Sequence, residues 1–140
     1  MKIGYFGDGQ WAHKAFETLE KDETIEIAFV MVRYDKRDSV LMDMARTRDI
    51  PVELCENVNS ADFVRRVKLY NVDLFVSMSF DQIFKKELIE LPPFGTINCH
   101  AGKLPFYRGR NILNWALIND EKEFGITVHY MDEGIDTGDI

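Results

Sequence analysis

The stretch Ala28-Phe29-Val30-Met31-Val32 is an unbroken apolar run, and no other feature narrows the folds open to this chain so far. A strand that is apolar on both faces has to be covered on both, which is the situation of an interior strand in a parallel sheet with helices above and below. The surroundings agree. Strand-like and helix-like segments alternate from the first residue, as they do in α/β folds. Lys2 to Phe6 reads as the first strand. Gly7-Asp8-Gly9 then makes a tight turn into a helix whose apolar positions Trp11, Ala12, Ala15, Phe16 and Leu19 keep i, i+4, i+8 spacing. The second strand, within Thr24 to Arg33, carries the apolar run and belongs at the sheet centre.

Asp38 or Ser39 caps a short helix with Val40, Leu41, Met44 and Ala45 on one face, and Ile50 to Leu54 follows as an edge strand, where Pro51 is tolerated. Ser60 caps a helix that buries Phe63, Val64 and Val67 and shows Arg65, Arg66 and Lys68 to solvent. Asp73 to Met78 is a fourth strand, a helix over Gln82 to Ile89 stops before Pro92-Pro93, and Gly95 to Asn98 is a fifth strand. After the loop from Ala101 to Gly109 come a helix with Ile112, Leu113, Trp115, Ala116 and Ile118, a sixth strand from Gly125 to Met131, and a carboxylate-rich loop over residues 132–138. The expected architecture is α/β: a Rossmann-like open twisted sheet, mostly parallel, with helices on both faces.

At 46% hydrophobic and 29% charged, the 140 residues suit one domain with a real core. Met1 to Gly7 lacks the basic and apolar regions of a signal peptide, and no apolar run approaches the ~18 residues of a membrane span, so a cytoplasmic protein is expected. Cys55 and Cys99 fit neither CxxC nor ligand spacing and are expected to be ordinary reduced thiols. A net charge of −7 argues against nucleic acid as a partner, because that affinity rests on Lys and Arg displacing phosphate counterions. Lys103, Arg108 and Arg110 can still bind a compact diphosphate locally, which favours a small-molecule partner.

Successive strand residues point to opposite faces, so Asn98 and His100 share one side of the sheet while Ile97 and Cys99 share the other. Asp136 follows in the loop after the sixth strand, and open α/β sheets bind ligands at the carboxyl ends of their strands. Acyl transfer to an amine needs an N–H donor aimed at a developing oxyanion, a base for the amine proton and a carboxylate to orient that base. Asn98, His100 and Asp136 fit those roles. Taken singly, each has a plainer reading: Asn98 as a loop cap, His100 as a core histidine bonded to a carbonyl, Asp136 as a turn residue. Their joint placement favours the chemistry. Cys99 faces away from His100 and is expected in the core. His129 is expected to line the pocket wall or satisfy backbone groups, and no HExxH or CxxC spacing supports a metal.

Phe94-Gly95-Thr96-Ile97-Asn98-Cys99-His100, then Leu104-Pro105-Phe106-Tyr107-Arg108-Gly109, then Gly125 to His129 and Asp132 to Asp139, together resemble the catalytic half of the formyltransferases that use 10-formyltetrahydrofolate. The resemblance implies that Asn98, His100 and Asp136 are the catalytic residues, that 10-formyltetrahydrofolate is the cosubstrate, and that a substrate amine attacks the formyl carbon on its N10. Asp136 would orient the imidazole, raise its pKa, or hold a proton-relaying water. By the same resemblance the folate lies under the loop holding Phe80, Gln82, Ile83 and Phe84, with Ile83 and Phe84 as walls and the Gln82 backbone at the pterin edge, and against the loop beginning at Asp132.

Arg108-Gly109-Arg110-Asn111-Ile112-Leu113-Asn114-Trp115 looks like the version in enzymes that formylate nucleotide-linked amino sugars, rather than the RGAAP type of the methionyl-tRNA enzymes, which stand as the alternative. Lys103, Arg108 and Arg110 would then meet the substrate's phosphates, the other reading being a solvated loop. The resemblance makes residues 1–140 an N-terminal catalytic domain cut short after Ile140, with elements for acceptor binding or a homodimer downstream. Further alternatives are a formyltetrahydrofolate hydrolase, with water in place of the amine, and a nicotinamide-dependent oxidoreductase. The latter rests on Gly7-Asp8-Gly9 with Ala12, a loose dinucleotide fingerprint whose acidic companion, Asp35, needs generous spacing.

Overall fold

The computed structural model describes residues 1–140. Its elements run β1 (Lys2–Gly7), α1 (Gly9–Leu19), β2 (Glu26–Met31), α2 (Ser39–Arg46), β3 (Val52–Glu53), α3 (Ala61–Lys68), β4 (Leu74–Met78), α4 (Lys86–Ile89), β5 (Thr96–His100), α5 (Ile112–Ile118) and β6 (Thr127–Tyr130). The strands form one sheet in the order β3-β2-β1-β4-β5-β6. All neighbours are parallel except β5 and β6, which are antiparallel. This is the mostly parallel α/β fold expected, but β2 lies one strand in from the β3 edge and not at the centre, which β1 and β4 occupy. No helix is long and apolar enough to cross a membrane.

Both faces of the sheet are covered. On one, Ile3, Tyr5, Val30 and Leu74 pack with Ala12 and Phe16 of α1 and Leu41 and Ala45 of α2. On the other, Phe6, Phe29 and Phe75 pack with Phe63, Val64 and Val67 of α3 and Phe84 and Leu88. Phe6 is the hub: its ring lies edge-on to those of Phe29, Phe63, Phe75, Phe80 and Phe84, at centroid separations of 4.8–6.3 Å. Such pairs add to the area they bury.

Four elements depart from expectation. The helix expected from Gln82 is reduced to α4 because the residues before it are held by hydrogen bonds to Val58 and Asn59 of the β3–α3 connection. Asn59 Nδ2 donates to the Ile83 carbonyl at 2.9 Å, the Lys85 N–H donates to Asn59 Oδ1 at 2.7 Å, and the Val58 N–H donates to Gln82 Oε1 at 3.0 Å. These bonds compete with the helical ladder. β5 continues two residues further, to His100, and Trp11 of α1 is 46% exposed rather than buried. The reversed direction of β6 has the largest effect. Its last residue, Tyr130, pairs with Ile97, so the loop carrying Asp136 starts near the beginning of β5 and has to return along the sheet. The excursion is closed at its base, where the Tyr130 N–H donates to the Asp139 carbonyl at 2.8 Å.

Candidate active site

Antiparallel partners on one face of a sheet stand side by side. Asn98 pairs with His129 and His100 with Thr127, so these four side chains occupy one patch. Thr127 ties down the loop above it: its hydroxyl donates to the Gly102 carbonyl at 2.7 Å and accepts the Leu104 N–H at 3.2 Å. Gly102 permits the close approach, since a Cβ there would stand 2.5 Å from His100 Nε2 and from the Tyr107 carbonyl oxygen.

Asp136 enters from the returning loop, in a left-handed backbone conformation with φ 52°. Its Oδ2 accepts the Gly109 N–H at 2.8 Å and stands 3.4 Å from His100 Nδ1, while its Oδ1 stands 3.4 Å from His129 Nε2. Each imidazole is pinned on its far nitrogen by a main-chain oxygen: His100 Nε2 by Tyr107 at 2.6 Å, His129 Nδ1 by Tyr130 at 2.7 Å. A carbonyl only accepts, so each far nitrogen carries a hydrogen and each near nitrogen is turned to the carboxylate. Asn98 Nδ2 completes the group, 3.4 Å from His129 Nε2. The two histidines are buried, and Asn98 and Asp136 are half-buried.

The three residues expected to act together are therefore together, with a fourth, His129, which was expected to line the pocket wall or satisfy backbone groups and does bond the Tyr130 carbonyl. Its missed signal was register: Asn98 and His129 are opposite each other only once β6 is known to run backwards. Cys99 lies on the other face, half-buried, and burial pushes its thiol above the usual range.

The residues expected at the folate are spread by depth. Ile83 is 66% exposed and Phe80 half-buried, whereas Phe84 is 1% exposed and packs against Phe6. The Gln82 side chain is engaged with the Val58 N–H. Asp132 is exposed, and its carboxyl is held below the ordinary range chiefly by the Thr137 hydroxyl, with the Gly134 N–H adding to it. The basic residues diverge. Lys103 pairs with Glu123 at 3.3 Å, Arg110 donates to the Asp81 carbonyl at 3.2 Å, and Arg108 is exposed without an acidic partner.

The turn after β1 does not offer itself to a pyrophosphate. The Gly9 N–H at the start of α1 donates to Asp38 Oδ2 at 2.8 Å, and the same oxygen lies 2.6 Å from His13 Nε2. The chain's own carboxylate takes the place an anion would fill.

The profile of the family described as "Formyl transferase" matches residues 1–140. The methionyl-tRNA formyltransferase of Clostridioides difficile is 36% identical over all of this chain, which spans 48% of that protein, and its counterpart from Alkaliphilus oremlandii is 37% identical, with 47% spanned. The chain thus spans about half the length of the curated relatives it matches. Among solved structures, the phosphoribosylglycinamide formyltransferase of Bacillus halodurans superposes with a TM-score of 0.84 at 21% identity, over 99% of this chain and 76% of that one. A formyltetrahydrofolate deformylase from Pseudomonas syringae does so with 0.80 at 24% identity, over 98% and 47%. At those identities the structures attest the fold.

Proposed function

We propose that this chain, which belongs to the formyl transferase family, holds the catalytic N-terminal domain of a cytoplasmic enzyme that moves the formyl group of 10-formyltetrahydrofolate to a primary amine. The observation that carries the reading is the convergence of His100 and His129 on the two oxygens of Asp136, each at 3.4 Å, with the Asn98 amide beside them.

The donor's flat pterin fits what the chain offers. Ile83 and Phe80 present apolar surface for its walls. As the amine attacks, Asn98 donates an N–H to the formyl oxygen, where negative charge grows. His100 has Nε2 committed to Tyr107, so Nδ1 is the nitrogen that takes the amine proton and returns one to the departing N10. Asp136, locked by the Gly109 N–H, fixes the ring and offsets the charge it gains. A carbon–nitrogen bond to the acceptor forms, the bond to N10 breaks, and no net proton is lost.

Asn98→Ala, His100→Ala and Asp136→Ala are each expected to lower kcat by about 100-fold or more while folate still binds. Turnover retained in all three overturns the assignment. Formate released without an acceptor would point to the hydrolase instead.

Two acceptors have support from different observations. Curated relatives at 36% and 37% identity are methionyl-tRNA formyltransferases, which favours an aminoacyl-tRNA and weighs against excluding nucleic acid. The Arg108 to Trp115 segment and the net charge of −7 favour a nucleotide-linked amino sugar, with Arg108 free to meet its phosphates. Full-length protein given 10-formyltetrahydrofolate with methionyl-tRNA or a panel of amino sugar nucleotides, read by mass spectrometry, decides between them.

A further inference from the structure

His129 is 3% exposed, deeper than His100 at 8%, and is the only side chain bonded to the Asn98 amide. With a hydrogen on Nδ1 bonded to the Tyr130 carbonyl, the neutral ring has its lone pair at Nε2. Two groups face that lone pair, each at 3.4 Å: the Asp136 carboxylate, which has no hydrogen to give, and the Asn98 NH2, which has two.

An asparagine amide is indifferent to a half-turn about its last bond, because oxygen and nitrogen are almost the same size. The turn nonetheless exchanges a donor for an acceptor. In a site that meets growing negative charge, an inverted amide presents its own oxygen to that charge and repels it. Something has to tell the two orientations apart, and an unprotonated ring nitrogen can, since it bonds only to the NH2 end.

We propose that His129 is a positioning residue: by accepting one N–H of Asn98 at Nε2, it leaves the second N–H of the same nitrogen for the reacting carbonyl oxygen. The inference rests on the formyl-transfer reading above and adds to it the residue that sets the polarity of the oxyanion donor. Asp136 then sits between two rings with separate tasks, His100 moving protons and His129 orienting an amide.

A double-mutant cycle on the full chain tests this. His129→Gln places an acceptor oxygen close to where Nε2 stands, whereas His129→Asn reaches only as far as Nδ1. His129→Asn is expected to lower kcat by about 10- to 100-fold with KM for both substrates unchanged, and His129→Gln to restore most of the rate. In the Asn98→Ala background, His129→Asn should cost nothing further, since its effect runs through the amide. Full activity in His129→Asn, equal losses in both variants, a loss confined to KM, or losses that multiply with that of Asn98→Ala would each overturn the role. Nitrogen-15 NMR of the wild-type imidazoles needs neither turnover nor a folded variant: a His129 ring with hydrogen on Nδ1 and none on Nε2 is expected, and a ring bearing hydrogen on Nε2, whether alone or as the imidazolium, overturns the inference. Wild-type protein that transfers formyl to no amine would instead remove the reading beneath it.

Discussion

Asp38 shows how much one carboxylate can decide. It was expected only as a helix cap. In the structure it caps α2 through the Leu41 N–H at 3.0 Å, takes the first free N–H of α1 from Gly9, and pairs with His13. The loose dinucleotide fingerprint after β1 was therefore a true reading of a strand–turn–helix and a false lead as to ligand, since what completes the turn comes from 29 residues away. Burial works to raise the pKa of Asp38, but the Leu41 and Gly9 N–H groups and His13 together hold it below the ordinary carboxylate range. A group whose folded pKa is depressed contributes stability above its unfolded pKa and loses it as pH falls through the folded one. Asp38→Ala should therefore cost about 1–2 kcal/mol near neutrality. In urea unfolding, the gap between variant and wild type should narrow steadily below about pH 4. A gap independent of pH would mean that the charge contributes nothing.

Among elements, the loop between β5 and α5 depends most on a single contact. Thr127, from the neighbouring strand, holds both the Gly102 carbonyl and the Leu104 N–H, and through them the Tyr107 carbonyl that pins His100. Thr127→Val keeps the shape and removes the hydroxyl. We expect a stability loss of about 1–2 kcal/mol by thermal melting, together with a fall in kcat as His100 loses its fixed tautomer. Unchanged kcat would show that the loop holds itself. Strands and helices with strong period or continuous apolar runs, such as β2 and α3, could be read from local sequence because burial alone dictates them. The short α4 could not, because Asn59 and Gln82 act across the fold. The direction of β6 could not either, since an alternating strand reads the same both ways. Asn98 and His100 were legible from their alternation in β5, but their partner His129 needed that direction.

At the scale of the molecule, the Phe6-centred core fixes the sheet and the aromatic side of the loop after β4 at once, through Phe80 and Phe84. The acidic surface belongs to the same scale. Affinity for a polyanion rests on Lys and Arg displacing phosphate counterions, so the net charge of −7 makes salt the discriminating variable. If the acceptor is an amino sugar nucleotide, kcat/KM should change only modestly between low and high salt, whereas an aminoacyl-tRNA should show a steep logarithmic loss. Steady-state kinetics over a salt series reads the difference.

The backbone bond from Tyr130 to Asp139 turns residues 131–138 into a noose whose two feet stand together on the sheet edge. Asp136 hangs from it, so the reach of that carboxylate is set by how many residues the noose contains, and a deletion or insertion within it would retune the site without disturbing a single strand.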